Sequence, residues 1–511
     1  MSLFTKLNKL KPFKDLNEQE FSWVLYNVGN SAYTMLSCSL IPIWFKNLAC
    51  LFTKAEETSM ITTEALSRLT IAERVAVTDA MKTLNLTASD GITTRVLRLL
   101  DPSIRNTVKE VWKLAENLVT TRVNELANAQ GLLGQTQATS KYSMTIAIVT
   151  LIIALIGPIC GALADHKDTR KIFFSTTVAA GVIGCILNGF TPTWILFLVV
   201  YVLAKVFYQA SLTFYDSMLN DITTDERMDE VSSYGYAWGY IGSCIPFLIA
   251  LLAYVLGPDM VGLISESLSK IIGFGVTGIW WLIVTIPLIK NYKQIHYVEE
   301  KGSVKKAFTQ LGRTIKKIAT TDKKVFLFLI AFFLYIDGVG TIIDNCINIG
   351  TELGLNTVGQ VVFLLLTQVV AFGGSLVFAK LSRKYDTVKL LLVCIVGYFA
   401  VCLYAMTLEE LWQFAIMAFG VGCFQGSIQS LSRSYFSRIV PASNSGEYFG
   451  IYDIFSKGAS FLGSFVITAV LNIPGGNINI AVGSLAVFFA IGFVVLKFAD
   501  KAPLSKEAEL D

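Results

Sequence analysis

The stretch Gly161-Ala-Leu-Ala-Asp-His-Lys-Asp-Thr-Arg-Lys171 closes the apolar run 142–164 with a dense cluster of mixed charge. A lipid-facing segment must end in something polar, but a plain anchor needs no acid at its edge. Working outward, the chain has 511 residues, 53% of them hydrophobic and only 16% charged. Soluble domains carry about 25% charged residues, so this chain is too apolar for water. Apolar runs long enough to cross a bilayer fall at 21–49, 142–164, 172–191, 194–219, 234–257, 271–290, 325–347, 357–381, 388–407, 410–436, 446–472 and 478–498. The runs are continuous rather than alternating, which calls for helices and not a barrel, because in lipid each backbone group must be satisfied within its own segment. The expectation is an all-α, multi-pass membrane protein with twelve transmembrane helices.

Lys and Arg set the orientation. They cluster at Lys6, Lys9, Lys11 and Lys14, at Lys167, Arg170 and Lys171, at Lys380, Arg383 and Lys384, and at Lys497, Lys501 and Lys506; the stretch 290–324 holds ten of them against three acids. The opposite short loops offer little beyond Lys270. Both termini are therefore expected in the cytoplasm, with the chain in the cell (plasma or inner) membrane and the first span retained rather than cleaved as a signal peptide. Nine cysteines fall in or beside spans without metal-ligand spacing, and the only histidines are His166 and His296. No metal site and no cofactor is expected.

The opening stretch recurs. Leu163, Asp165, Asp168, Thr169 and Lys171 align with Leu381, Arg383, Asp386, Thr387 and Lys389 at an offset of 218. Ile222 and Glu230 align with Ile439 and Glu447 at 217, whereas Leu25-Tyr26 aligns with Leu334-Tyr335 at 309. The excess of 92 places an insertion between the first two spans, where 51–140 is polar, with ten basic and ten acidic residues. The expected organisation is a cytoplasmic N-terminus with the first span (1–50), a helical extracytoplasmic insert (51–140), spans two to six (141–290), a basic cytoplasmic linker (291–324), a second six-helix half (325–499) and a cytoplasmic tail (500–511). Within the insert, Asp101-Pro102 reads as an N-cap and first-turn pair. Ile104, Val108, Val111, Ala115, Leu118, Val119 and Leu126 form one stripe after it, and Gly131 and Gly134 end it.

Gly161 to Lys171 resembles the signature of the major facilitator superfamily, Gly-x-x-x-Asp-Arg-x-Gly-x-Arg-Lys. Gly161, Asp165, Arg170 and Lys171 match, while His166 replaces the first Arg and Asp168 the second Gly. The resemblance implies two six-helix halves and a gate that this cluster locks against the eleventh helix, near Glu447. Further on, 432–463, together with 21–34, 214–222, 231–242 and 332–343, resembles the vacuolar-effluxer-like family, named for a fungal amino acid exporter linked to autophagy. Lys205, Asp216 and Asn220 depart from its pattern, as does the insert.

In that fold spans one, four, seven and ten line a central cavity, and polar groups at mid-membrane depth usually face water or substrate. Candidate substrate contacts are Asn27, Asn30 and Thr34 (with Ser31), then Lys205, Tyr208 and Gln209, then Asp337 (with Asp344 and Asn345 farther out), and Gln425 (with Ser427 and Gln429). Lys205 and Asp337, from opposite halves at similar depth, are expected to pair across the cavity, with Asp337 a candidate proton carrier. Candidate gating residues are Gly161, Asp165, Arg170, Lys171 and Glu447, with the i,i+4 pair Asp453 and Lys457.

The expected function is secondary active transport of a small polar solute, an amino acid being one candidate, with a proton or cation as a candidate coupling partner. The alternatives are a membrane-embedded receptor or assembly protein that binds a protein partner through 51–140, and a lipid exporter. An enzyme is not expected, since the chain shows no phosphate-binding Gly-x-x-x-x-Gly-Lys-Ser/Thr loop, zinc helix or Ser–His pair; nor is a nucleic-acid partner. In intact cells carrying a cysteine-free version, Ser89→Cys should react with an impermeant thiol reagent and Ser303→Cys should not. The reverse pattern would overturn the orientation.

Overall fold

The computed structural model describes residues 15–258, 260–299, 304–352, 357–408, 410–458, 461–471 and 478–504. The described residues are almost entirely helical. In chain order the helices are α1 (Glu18–Cys38), α2 (Leu40–Ala49), α3 (Lys54–Arg68), α4 (Ile71–Thr83), α5 (Thr94–Leu99), α6 (Pro102–Ala129), α7 (Gln135–Ala164), α8 (Thr169–Asn188), α9 (Trp194–Ser217), α10 (Leu219–Ile222) and α11 (Met228–Val255). There follow α12 (Glu266–Asn291), α13 (Val304–Thr320), α14 (Lys323–Glu352), α15 (Thr357–Leu381), α16 (Thr387–Ala405), α17 (Leu411–Ile439), α18 (Ser445–Gly458), α19 (Phe461–Leu471), α20 (Ile478–Ser484) and α21 (Ala486–Lys501).

Ten segments among the described residues are long and apolar enough to cross a membrane. The two other expected spans are 21–49 and 446–472. The run 21–49 breaks at Ser39 into α1 and α2. Pro42 gives the reason: a proline ring inside a continuous helix would clash with the carbonyl four residues back, here that of Cys38. The run 446–472 is covered by α18 and α19, with 459, 460 and 472 outside the described residues.

Three hydrophobic clusters organise the molecule. One gathers α1, α2 and the helices from α7 to α12, around Trp23, Tyr26, Trp44 and Trp281. A second gathers α14 to α21, around Phe328, Phe332, Tyr398 and Phe489. The third lies within α3–α6, around Ala65, Val77, Val96 and Val119. Outward, Leu151, Leu155, Leu203, Ile283, Val393 and Phe498 stand exposed, as lipid-facing side chains do.

The segment between α2 and α7 forms four helices. Asp101 accepts a hydrogen bond from the Ser103 N–H at 2.9 Å, and Pro102 occupies the first turn of α6. The buried stripe of α6 runs through Val108, Ala115, Val119, Val123 and Ala127. The expected stripe members Leu118 and Leu126 are instead exposed; the face turned to α3 lies one helical step from theirs. The segment is tied to the first half. Leu133 N–H bonds Ala49 O at 2.8 Å, Gln135 Nε2 bonds Phe52 O at 2.9 Å, and Trp194 Nε1 bonds Gly131 O at 3.0 Å.

The closest approach between the halves is the crossing of α7 with α18. A Cβ on Gly161 would sit 2.1 Å from Gly446 O, and one on Gly450 2.4 Å from Pro158 Cα; only hydrogen at these positions allows the two backbones to touch. Asp168 begins α8 at φ +60°. That left-handed conformation explains why the superfamily signature has glycine there, and Asp tolerates it better than a branched residue does. Asp168→Gly should match or exceed the parent in thermal stability, whereas Asp168→Val should cost about 1–2 kcal/mol. Melting of purified protein checks both.

Candidate functional site

A cavity of about 430 Å³ lies between the halves, within the usual range for small-molecule sites. Asn27, Asn30, Ser31 and Thr34 of α1 line it, as do Lys205, Tyr208 and Gln209 of α9 and Gln425 and Gln429 of α17. The i, i+3, i+7 spacing of the α1 residues puts them on one face. Asn30 donates to Asn27 at 3.1 Å, and Thr34 shares a short hydrogen bond with the Tyr208 hydroxyl. Lys205 donates to Ser37 Oγ at 3.0 Å, with its ammonium 5.1 Å from the Tyr208 ring centre and 5.5 Å from that of Tyr33. Aromatic faces and a hydroxyl thus solvate this cation, so it needs no acid.

Asp337 does not join it. The carboxylate is fully buried outside the cavity lining and accepts from Gly463 N–H of α19 at 2.8 Å. The cavity face of α14 carries Phe332, Ile336, Val339, Gly340 and Ile343, and Asp337 lies about 100° around the helix from Ile336. The expected pairing with Lys205 is therefore corrected: Lys205 bonds Ser37 and Asp337 bonds Gly463 instead of each other. Ser427 is buried outside the cavity wall. The side chains of Asp344, Asn345 and Lys457 lie outside the described residues, so the Asp453–Lys457 pair does too.

The cavity floor holds a group the sequence reading passed over. Arg433 of α17 is 2% exposed and bonds Asp216 of α9 at 2.8 Å, Ser232 Oγ at 3.0 Å and Ser232 O at 3.1 Å. Its guanidinium lies 4.5 Å from the Trp23 ring centre and 4.6 Å from that of Tyr236. Beside it Asp453 of α18 accepts from Thr213 of α9. Both contacts cross between the halves. An arginine inside an apolar run is a site signal in itself, and Asp216 was already visible as a departure from the family pattern.

Below the floor the seam is closed. Asp165 is fully buried and accepts from Gly446 N–H at 2.7 Å and Glu447 N–H at 2.9 Å, so it caps α18 from the other half. Arg170, also fully buried, bridges Asp165 at 2.6 Å and Asp221 at 2.9 Å. One guanidinium between two carboxylates leaves a negative charge, which the α18 N-terminus, the Tyr292 hydroxyl and the N–H groups of Ile295 and His296 meet. Burial pushes the Asp165 carboxyl up despite Arg170 and the two N–H donors. Burial acts the same way on Asp221, but there the His296 hydrogen bond, the Arg170 charge and the Tyr292 hydroxyl outweigh it and hold the carboxyl below its ordinary value. Lys171 is half-buried and makes no ion pair among the described residues. Glu447 accepts from Gln310 of α13 at 2.8 Å.

Nearby, Arg383 pairs with Glu230, Arg438 with Asp229 at 2.8 Å, and Asn220 donates to Ser437 O at 3.2 Å. These cross-half contacts all lie at the end of the bundle that carries the 165–171 loop. Cys38, at the opposite end of α1, is exposed and lines the cavity, so the cavity reaches the face that carries α3–α6.

Two helical bundles around a central polar cavity, sealed at one end, define a major facilitator transporter. Solved structures share the fold: a human organic anion transporter, MFSD10, at TM-score 0.58 and 10% identity, covering 94% of this chain and 99% of that one. FucP in the outward conformation matches at 0.54 and 17%, covering 71% and 90%. The profile of the vacuole effluxer Atg22-like family matches residues 17–227 and 220–509, and the chain belongs to that family. An uncharacterised MFS-type transporter of Bacillus subtilis, YxiO, is 39% identical over 388 residues, 75% of this chain and 90% of its own. Autophagy-related protein 22-1 of Penicillium rubens is 23% identical over 298 residues, 53% of this chain. The match spans about half of that fungal relative's own length, 49%.

Breaking a buried ion pair typically costs about 3–5 kcal/mol, an exposed pair about 0–1 kcal/mol. Asp165→Ala should therefore lower the melting temperature far more than Arg383→Ala, whose guanidinium is half exposed. Equal effects would reduce the Asp165 cluster to a surface anchor.

Proposed function

We propose that this protein is a secondary transporter that carries a small zwitterionic solute, an amino acid being the leading candidate, by alternating access, with both termini and the 291–324 linker in the cytoplasm. The observation that carries the reading is the separation of charge in the cavity. Lys205, from the first half, is held among the described residues by a hydroxyl and two aromatic faces. Asp453, from the second half, lines the floor beside the Arg433–Asp216 pair. A carboxylate meeting Lys205 and an ammonium meeting Asp453 would join the halves through the solute. Such a ligand binds the closed arrangement better than the open one, and only that difference in affinity can drive the halves together. The polar walls, with Asn27, Asn30, Gln209 and Gln425, suit a solute that keeps its own hydrogen-bonding groups and disfavour acyl chains. Under this orientation the closed cytoplasmic seam makes the structure outward-open.

Purified protein should be stabilised by its amino acid substrate, since a ligand of the native state raises the melting temperature by mass action. Lys205→Ala and Asp453→Asn should each remove that shift and abolish uptake or efflux in proteoliposomes. A melting shift produced by sugars or nucleosides and not by any amino acid, or full transport by Lys205→Ala, would sink the zwitterion reading.

A further inference from the structure

A second cavity, of about 250 Å³, lies at the sealed end, outside the transport pathway, between α13 and the turn that leads into α18. Arg313, Thr314 and Lys317 line it from α13; Pro441, Asn444 and Tyr448 line it from the second half. We propose that this cavity binds a phosphate-bearing anion, and that its occupant holds the sealed end shut.

The charge balance points to an anion. Arg313 and Lys317 are one helical turn apart and present two cations to one space. Arg313 is exposed and makes no ion pair among the described residues. The Asp322 carboxylate stands 3.8 Å from Lys317 and accepts from the Tyr448 hydroxyl at 3.3 Å, and Glu447 also faces Lys317, so the acids at hand serve Lys317 and leave Arg313 to a ligand. Planar guanidinium groups bind phosphate in two-pronged fashion, and lysine adds a point charge.

The effect on the seam follows from which elements the walls belong to. The same helix already grips α18: Gln310 donates to Glu447 at 2.8 Å, and the Thr314 hydroxyl bonds that carboxylate too. Glu447 is the residue whose N–H Asp165 caps. Helix α13 also packs on α7 of the first half. It therefore spans the seam, and an anion clasped between Arg313 or Lys317 and Asn444 would add a bond between α13 and the turn before α18. A ligand that binds only while these elements adjoin stabilises that arrangement.

Two sources supply this chemistry, the headgroup of an anionic phospholipid and a soluble phosphate. Melting of the detergent-purified protein is followed against inorganic phosphate, with chloride at equal ionic strength as the control. The protein is also melted in nanodiscs of phosphatidylcholine with and without phosphatidylglycerol. We expect a saturable rise in melting temperature in at least one arm. It should be lost, or need at least tenfold more ligand, in Arg313→Gln/Lys317→Gln. A rise with phosphate alone assigns a soluble ligand; a rise with phosphatidylglycerol alone assigns the headgroup. In a cysteine-free background, labelling of Ser437→Cys at the seam should slow when the effective ligand is present. No rise in either arm, or an equal rise in the double variant, overturns the proposal. If the double variant does not purify, Arg313→Gln alone, at an exposed side chain, gives the same decision. These readouts require no transport, so they stand or fall apart from the identity of the carried solute.

Discussion

The closed arrangement depends on one contact: the Asp165 carboxylate seated on the first N–H groups of α18. A helix begins with N–H groups that have no partner within the helix and with a partial positive charge of roughly half a unit. Water would satisfy both if the seam were open. Closing the α7–α18 crossing to the distance that Gly161, Gly446 and Gly450 permit expels that water, so the carboxylate must take its place. The glycines and the aspartate are thus one device: the close approach requires the cap, and the cap is reachable only at that approach. Arg170 and Asp221 then hold Asp165 in position from behind. A buried triad of this kind contributes little net stability, because desolvation offsets most of its attraction, but removing one member is costly. It fixes register rather than adding to stability.

The internal repeat gives this contact a twin of different chemistry. Positions 165 and 383 correspond at an offset of 218, and 230 and 447 at 217. Asp165 meets the backbone of Glu447, and Arg383 meets the side chain of Glu230. The same pair of places across the pseudo-twofold therefore carries a buried carboxylate on backbone N–H groups in one copy and a half-exposed ion pair in the other. Solvent screens the second and weakens it. Losing one partner is therefore costlier in the Asp165 copy than in the Arg383 copy.

Ten of the expected spans and the place of the 161–171 cluster at a contact between the halves were legible because they rest on apolar length and on repeated spacing, both one-dimensional quantities. The polar faces of α1, α9 and α17 were legible too, since Asn27, Asn30 and Thr34, or Gln425 and Gln429, share a face in any straight helix. Depth is readable from a run of residues; azimuth is not. Asp337 sits at the depth expected of a cavity residue, but α14 turns an apolar stripe to the cavity and Asp337 to α19. Arg433 was lost for the opposite reason: near the end of a span, it reads as part of a basic edge. Helix α17 in fact continues to Ile439, which leaves Arg433 a turn and a half inside. The break at Ser39 had a signal, Pro42, that apolar length alone overrides.

Two buried carboxylates bond backbone N–H groups of the eleventh apolar run, and they differ in origin. Asp337 meets Gly463 and belongs to the same half as α19, so that contact is indifferent to how the halves are arranged. Asp165 meets Gly446 and Glu447 and belongs to the opposite half, so the α18 cap exists only while the sealed end is closed. The first N–H groups of α18 have no partner within the helix, and placing their acceptor across the seam couples the start of that helix to the state of the gate.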